Sequence, residues 1–205
     1  MRVLALDTTT PPGSAAFLRP GAAPLVSAPA DTRPFGERLP GWLLALLAGA
    51  DATMRDVELF VVGAGPGSLT GLRVGLATMQ GLATATGRPL LGVSTLEALA
   101  QHALDRAGPA PHRRFAACAN ARRGEVFAQL FAPGVSDLLE PCGPPAVGSL
   151  AEVADRWAPA LAGVTLVVSG DAAQGSEPAW LAHGARAASV IPAVPLAVVM
   201  ARIGV

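Results

Sequence analysis

Residues 58–88 constrain the chain more than any other stretch. Leu59 to Val62 is a short apolar run that reads as a buried strand, and a glycine-rich loop, Gly63 to Gly67, follows it. Thr70 is placed to cap a helix reaching Thr86, which Gly87 ends and Pro89 keeps from continuing. Strand, glycine loop and helix form a unit that can hold an anion, because loop N–H groups point outward and the helix N-terminus is partly positive. The loop departs from the nucleotide fingerprints, however. G-x-G-x-x-G counted from Gly63 puts Ser68 at the third glycine, and counted from Gly65 it puts Thr70 there. No G-K-[ST] exists, and the chain has no lysine. A tight turn beside a crowded helix is the simpler reading.

The helix carries Gly71, Gly75 and Gly81. An interior glycine costs about 0.5–1 kcal/mol relative to alanine, so something must offset these. Gly71 and Gly75 share one face, which Thr78 continues, while Leu72, Leu76, Met79 and Ala83 form an adjacent apolar stripe. Such a helix can pack on a sheet with one side and closely on another helix with the other. The close neighbour is either a segment of the same chain or a second protein.

Gly65-Pro66-Gly67-Ser68-Leu69-Thr70-Gly71-Leu72-Arg73-Val74-Gly75 resembles the G-P-G-S-F-T-G-L-R-x-G signature of the TsaB family, with Leu69 in place of phenylalanine. That family is the dimerisation subunit of the bacterial tRNA threonylcarbamoyladenosine machinery. Further matches run through most of residues 1–171.

Arg2 to Asp7 reads as a central strand, Ser14 to Leu18 as a second and Leu25 to Ala28 as a weak third. Between the first two lies Asp7-Thr8-Thr9-Thr10. This turn can face phosphate with its hydroxyls and a magnesium ion with Asp7, or it can be an Asx/ST turn closing a hairpin. It is similar to the family's N-terminal I-D-T-S and to the first phosphate loop of the actin, Hsp70 and sugar-kinase superfamily. The resemblance implies an α/β fold of two ribonuclease-H-like, actin-like ATPase lobes, with the C-terminal lobe reduced.

Residues 35–50 form the first helix candidate, with Leu39, Leu43, Leu46 and Leu47 on a broad apolar face beside Trp42. Where the family often shows H-S-E-x-L-L-P, this chain has Phe35-Gly36-Glu37-Arg38-Leu39-Pro40. The resemblance implies that this helix and the 70–86 helix make the dimerisation face, through Leu39, Trp42, Leu43, Leu46, Gly71, Leu72, Gly75, Leu76 and Met79. A core role within one chain stays open for any one leucine.

Arg88 to Val93 reads as a strand, and Ser94 or Thr95 caps a helix to about Arg106. Gly108-Pro109-Ala110-Pro111 is the expected joint, dividing a lobe over residues 1–108 from one over 109–205. Phe115 to Ala119 and Glu125 to Ala132 are strands joined by a hairpin that exposes Arg122 and Arg123. Two guanidiniums suit phosphate or an acidic partner, although a solvated turn is the commoner use of such residues. The stretch is similar to the family's D-A-R-R-G-E-V-Y, with Asn120 and Phe127 in place of Asp and Tyr. Ser149 caps a helix over 149–158, with Glu152 three residues on. The strand Thr165 to Val168 leads into Ser169-Gly170-Asp171, which resembles the superfamily's second phosphate loop. Trp180 and Ile191 are further core candidates, and the apolar end Leu196 to Val205 is shorter than the family's C-terminal helix.

Composition narrows the remaining possibilities. The 205 residues allow one sizeable core or two small lobes. Charged residues make up 15%, against about 25% on average, so the surface is either covered in part by a partner or shaped by codon bias. Zero formal net charge gives no overall drive towards nucleic acid. Uncharged runs reach only about 15 residues, too short to span a membrane. Asp7 interrupts any secretion signal, and Cys118 and Cys142 are too few for a disulfide framework, so the cytoplasm is the expected compartment.

His102, His112 and His183 are scattered, and neither H-x-x-x-H nor G-x-S-x-G occurs. We assign no catalytic residue, no metal ligand and no resident cofactor. The resemblance implies a TsaD-like catalytic partner, a TsaE-like ATPase, a homodimer when the chain is alone, and contact with tRNA only through the complex. ATP and threonylcarbamoyl-adenylate would be used by that complex. Asp7, Thr8, Thr9, Gly65, Gly67, Arg122 and Arg123 are candidate anion or partner contacts. The competing reading is an autonomous ATP-dependent kinase or ATPase using Asp7, Thr8 and Thr9, with Asp171 as a second acid.

Overall fold

The computed structural model describes residues 1–28, 35–134 and 138–205, and the side chains of Phe35 and Gly36 lie outside that description. The chain divides into two compact units, Met1–Thr95 with Pro195–Val205, and Leu96–Val194. The division departs from the expected 1–108 and 109–205: residues 108–111 lie inside the second unit, and the chain end belongs to the first. Proline and glycine mark a turn, but they do not say which sheet the next element joins.

In the first unit, β1 (Val3–Asp7), β2 (Ser14–Leu18), β3 (Leu25–Ser27), β4 (Leu59–Gly63) and β5 (Leu90–Val93) form one sheet in the order β3-β2-β1-β4-β5. The first three strands are antiparallel, as short turns permit; β4 and β5 are parallel to β1, as their helical crossovers require. β1 and β4 are buried along their whole length, which explains their unbroken apolar runs. On one face Leu4, Leu6, Phe17, Phe60 and Val62 pack with α1 (Phe35–Ala48) and α2 (Leu69–Thr86). Against the other face lies α6 (Ala197–Ile203), where Ala197 N–H donates to Ser14 Oγ at 3.0 Å.

The second unit holds a six-stranded sheet ordered β11-β10-β6-β7-β8, with β9 also pairing β7. Its strands are β6 (Arg113–Arg122), β7 (Glu125–Pro133), β8 (Leu139–Pro141), β9 (Ala146–Ser149), β10 (Thr165–Ser169) and β11 (Ala187–Ile191). The helices are α3 (Thr95–Ala107), α4 (Leu150–Leu161) and α5 (Glu177–Ala182). β10 runs parallel to both β6 and β11. The expected capping box forms: Glu152 N–H donates to Ser149 Oγ at 3.3 Å, and Ser149 N–H returns a bond to Glu152 Oε2 at 2.8 Å. The Ser149 N–H, and then the Ser149 hydroxyl, which donates to the same oxygen at 2.8 Å, hold the Glu152 carboxyl below its ordinary value. The core centres on Trp157 and Trp180, whose rings stack with centroids 5.7 Å apart.

Candidate functional site

The glycine loop and α2 begin as expected, but the cap is Ser68 rather than Thr70. Ser68 Oγ accepts from Gly71 N–H at 3.3 Å, whereas Thr70 is exposed inside the first turn. Gly87, at φ 65°, ends the helix.

The acidic turn sits directly on α2. A Cβ on Gly71 would collide with the Thr8 carbonyl, and one on Gly75 with Thr8 Oγ1. Thr8 Oγ1 donates to the Gly71 carbonyl at 2.7 Å, and Ser68 N–H donates to the Thr9 carbonyl at 2.9 Å. On Gly67 a Cβ would come within 2.5 Å of that same carbonyl oxygen. Three glycines of the signature are therefore there so that the β1 turn can touch a helix backbone. Gly81 has nothing within 4 Å of its Cβ position and meets no such demand.

Asp7 is fully buried. Its Oδ1 accepts from Thr9 N–H at 2.8 Å and from Thr9 Oγ1–H at 2.6 Å, and its Oδ2 accepts from the Thr10 hydroxyl. Thr9 Oγ1, having donated to Asp7, accepts from Thr95 Oγ1 at 2.8 Å. Gly65 is buried too, and its carbonyl takes the Thr95 N–H at 2.8 Å. The Asx/ST turn is the arrangement found: a carboxylate ringed by its own hydroxyls, with both oxygens engaged.

This geometry places much of the expected partner face inside the isolated chain. Gly71 and Gly75 are covered by Thr8 of the same chain. Leu39, Leu43, Leu46 and Met79 are likewise buried in the core of the first unit. Residues with so little exposed surface have little to offer a partner in this conformation. Trp42, Leu72 and Leu76 remain half-buried, and Trp42 Nε1–H donates to Ser27 Oγ at 2.8 Å. Among the described residues of α1 and α2, two large apolar side chains outside the expected set are open to solvent, Leu69 at 59% and Leu44 at 55%. Leu69, Leu72 and Leu76 follow one another at i, i+3 and i+7 along one side of α2. The signal for Leu69 was in the sequence, as a large apolar residue in the first turn beside the cap.

In the second unit the two arginines stand on the β6–β7 hairpin. Arg122 (φ 71°), Arg123 (φ 53°) and Gly124 (φ 83°) are consecutive left-handed residues. Arg123-Gly124 are the central pair of a two-residue connection, whose twist requires positive φ at both. For arginine that conformation costs about 1–2 kcal/mol. Both arginines are exposed, and among the described residues neither has an ion-pair partner. Arg122 N–H donates to Asn120 Oδ1 at 2.7 Å, and Asn120 N–H donates to Asp171 Oδ1 at 2.8 Å. Gly170, at φ 132°, lets the loop after β10 lie on β6, where its Cβ would strike the Cys118 carbonyl. Cys118 is a core residue: burial, and then the Asp171 charge, push its thiol up to about 12. Among the described residues no group of three or more His, Cys, Asp or Glu is placed to hold a metal ion, and no helix is long and apolar enough to cross a membrane.

The family model described as TsaD, tRNA N6-adenosine threonylcarbamoyltransferase, matches residues 29–160, more than half of the chain. An uncharacterized protein of Mycobacterium tuberculosis is 34% identical over 163 residues, covering 78% of this chain and 71% of that one. The tRNA threonylcarbamoyladenosine biosynthesis protein TsaB of Escherichia coli is 36% identical over 129 residues, covering 62% of this chain and 53% of its own length. The solved structure of YeaZ from Pseudomonas aeruginosa superposes with a TM-score of 0.78 at 28% identity, covering 100% of this chain and 91% of that one. A signature whose glycines seat the β1 turn on α2, an actin-like pair of α/β units and these likenesses converge: the chain belongs to the TsaB family.

Proposed function

We propose that this chain is a non-catalytic scaffold subunit of the complex that adds a threonylcarbamoyl group to the adenosine beside the tRNA anticodon. Its partners are a TsaD-type catalytic subunit and a TsaE-type ATPase, and alone it pairs with itself. ATP and threonylcarbamoyl-adenylate are used by the complex, tRNA is met through it, and the compartment is the cytoplasm. One observation carries the pairing role: Leu69, Leu72 and Leu76 leave an apolar row at the edge of α2, with Leu69 59% exposed. Family membership supports a TsaD-type partner for the row and the class of the reaction.

Sedimentation of the chain alone and mixed with the TsaD-type protein of its own organism tests the reading. A dimer that converts to a mixed complex is expected, and Leu69→Glu weakens both pairings at least tenfold while leaving the fold intact. A chain that ignores the TsaD-type protein overturns the role. Gly75→Leu is unsuited to this purpose, because it strikes Thr8 of its own chain before it reaches a partner.

The autonomous kinase or ATPase is the second reading, kept because Asp7 lies in the turn that resembles a phosphate loop. Its mark is nucleotide turnover abolished by Asp7→Ala. Both Asp7 oxygens already accept hydrogen bonds from Thr9 and Thr10, which disfavours it.

A further inference from the structure

We infer that the tip of the β6–β7 hairpin is a docking point for carboxylates of a partner protein, with Asp171 and Asn120 as the residues that position it. Three features support this. Arg122 and Arg123 are exposed and hold no ion-pair partner among the described residues, although Glu125 stands opposite Arg122 in the strand register. The tip keeps arginine at two successive left-handed positions, where glycine or asparagine would be the relaxed choice. And the nearby Asp171 carboxylate, which could have taken a guanidinium, accepts the Asn120 N–H instead, while Asn120 Oδ1 accepts the Arg122 N–H. The bonds running from the loop after β10 through Asn120 therefore fix the backbone of the tip, and among the described residues both guanidinium forks stay without an ion pair. Strain held in place by surrounding structure is what a presented recognition element requires.

The chemistry favours carboxylate over an RNA backbone. Guanidinium binds carboxylate with two parallel hydrogen bonds, so two adjacent arginines suffice for one or two acidic side chains. An RNA footprint needs several phosphate contacts to gain from counterion release. Here the chain has 15 basic and 15 acidic residues, so no overall positive charge adds to the two arginines.

The test is a titration of the full chain labelled with ¹⁵N-arginine, following the Nε–H signals of Arg122 and Arg123. One probe is a glutamate-rich dodecapeptide and the other an unmodified tRNA transcript. The expected result is saturable movement with the peptide, reversed by salt. Asp171→Ala, or Asn120→Ala should the first variant not fold, lowers the peptide affinity at least fivefold. Asp171→Asn, which keeps the Oδ1 acceptor and removes the charge, restores it to within twofold. Movement with tRNA alone, or with neither probe, overturns the docking point. Unchanged affinity in Asp171→Ala and Asn120→Ala, or an Asp171→Asn variant as weak as Asp171→Ala, overturns the positioning role. None of these outcomes depends on pairing with a TsaD-type protein.

Discussion

Two turns of this molecule carry charged residues and put them to opposite use. At the β1 turn, Asp7, Thr8 and Thr9 are buried, and every oxygen of the carboxylate is bonded within the unit. At the β6–β7 turn, Arg122 and Arg123 are exposed, and among the described residues neither charge has an ion-pair partner. The glycines divide in the same way. Gly71 makes room for another backbone, whereas Gly124 supplies a twist. A glycine in a signature can thus mark close packing as readily as a ligand, and burial distinguishes the two.

The largest effect that could break this contrast is Gly71→Ala. Its new Cβ meets the Thr8 carbonyl, which is backbone and cannot swing aside, so a loss of about 3 kcal/mol in urea unfolding is expected. On the same helix Gly81→Ala should go the other way and stabilise by about 0.5–1 kcal/mol, since nothing lies within 4 Å. If both variants shift the midpoint alike, the close approach of Thr8 is not what the glycine serves. Asp7→Ala follows in size: it strands the donors of Thr9 and Thr10, and a loss of about 2–3 kcal/mol is expected.

Cys118 sharpens the buried side. Its thiol stays protonated in the folded chain up to about pH 12, while in the unfolded chain it ionises from about its ordinary value of 9.0. The unfolded state then holds fewer protons, so stability falls as pH rises through that window, by about 1.4 kcal/mol per unit. In the native protein at pH 8, iodoacetamide should label Cys142, which is exposed, and spare Cys118. The exposed turn gives an effect about as small as that of Gly81→Ala. Arg123→Gly relieves a left-handed arginine and should raise stability by about 1 kcal/mol, visible as a higher melting temperature. A destabilised variant would mean that the side chain packs on the fold.

Much of the architecture was legible because it is written in short-range chemistry. The apolar run Leu59 to Val62 is buried as a central strand. Gly87 stops α2 and Ser149 boxes α4, because caps depend on residues within one turn. The turn at Arg122 and Arg123 follows from two strands and a glycine. What was not legible is who meets whom. Periodicity placed Gly71 and Gly75 on one face of α2, but it could not say that Thr8, 63 residues before Gly71, would occupy that face. The leucines of α1 showed an apolar side, which the sheet of the same unit then covered.

By itself the sequence determined the order of strands and helices from β1 to β7 and again at α4 and β10, the glycine-cleared face of α2 and a doubly basic turn, whereas β8, β9, α5 and β11 were not legible in it. The tertiary structure alone decided that the cleared face receives the chain's own acidic turn, that the chain end returns to the first unit as α6, and that Asp171 reaches Asn120. The physical reason is range. Helical and strand periods are set by neighbours a few residues apart, whereas the occupant of a face is set by sheet order, which brings together residues 51 and even 183 positions apart.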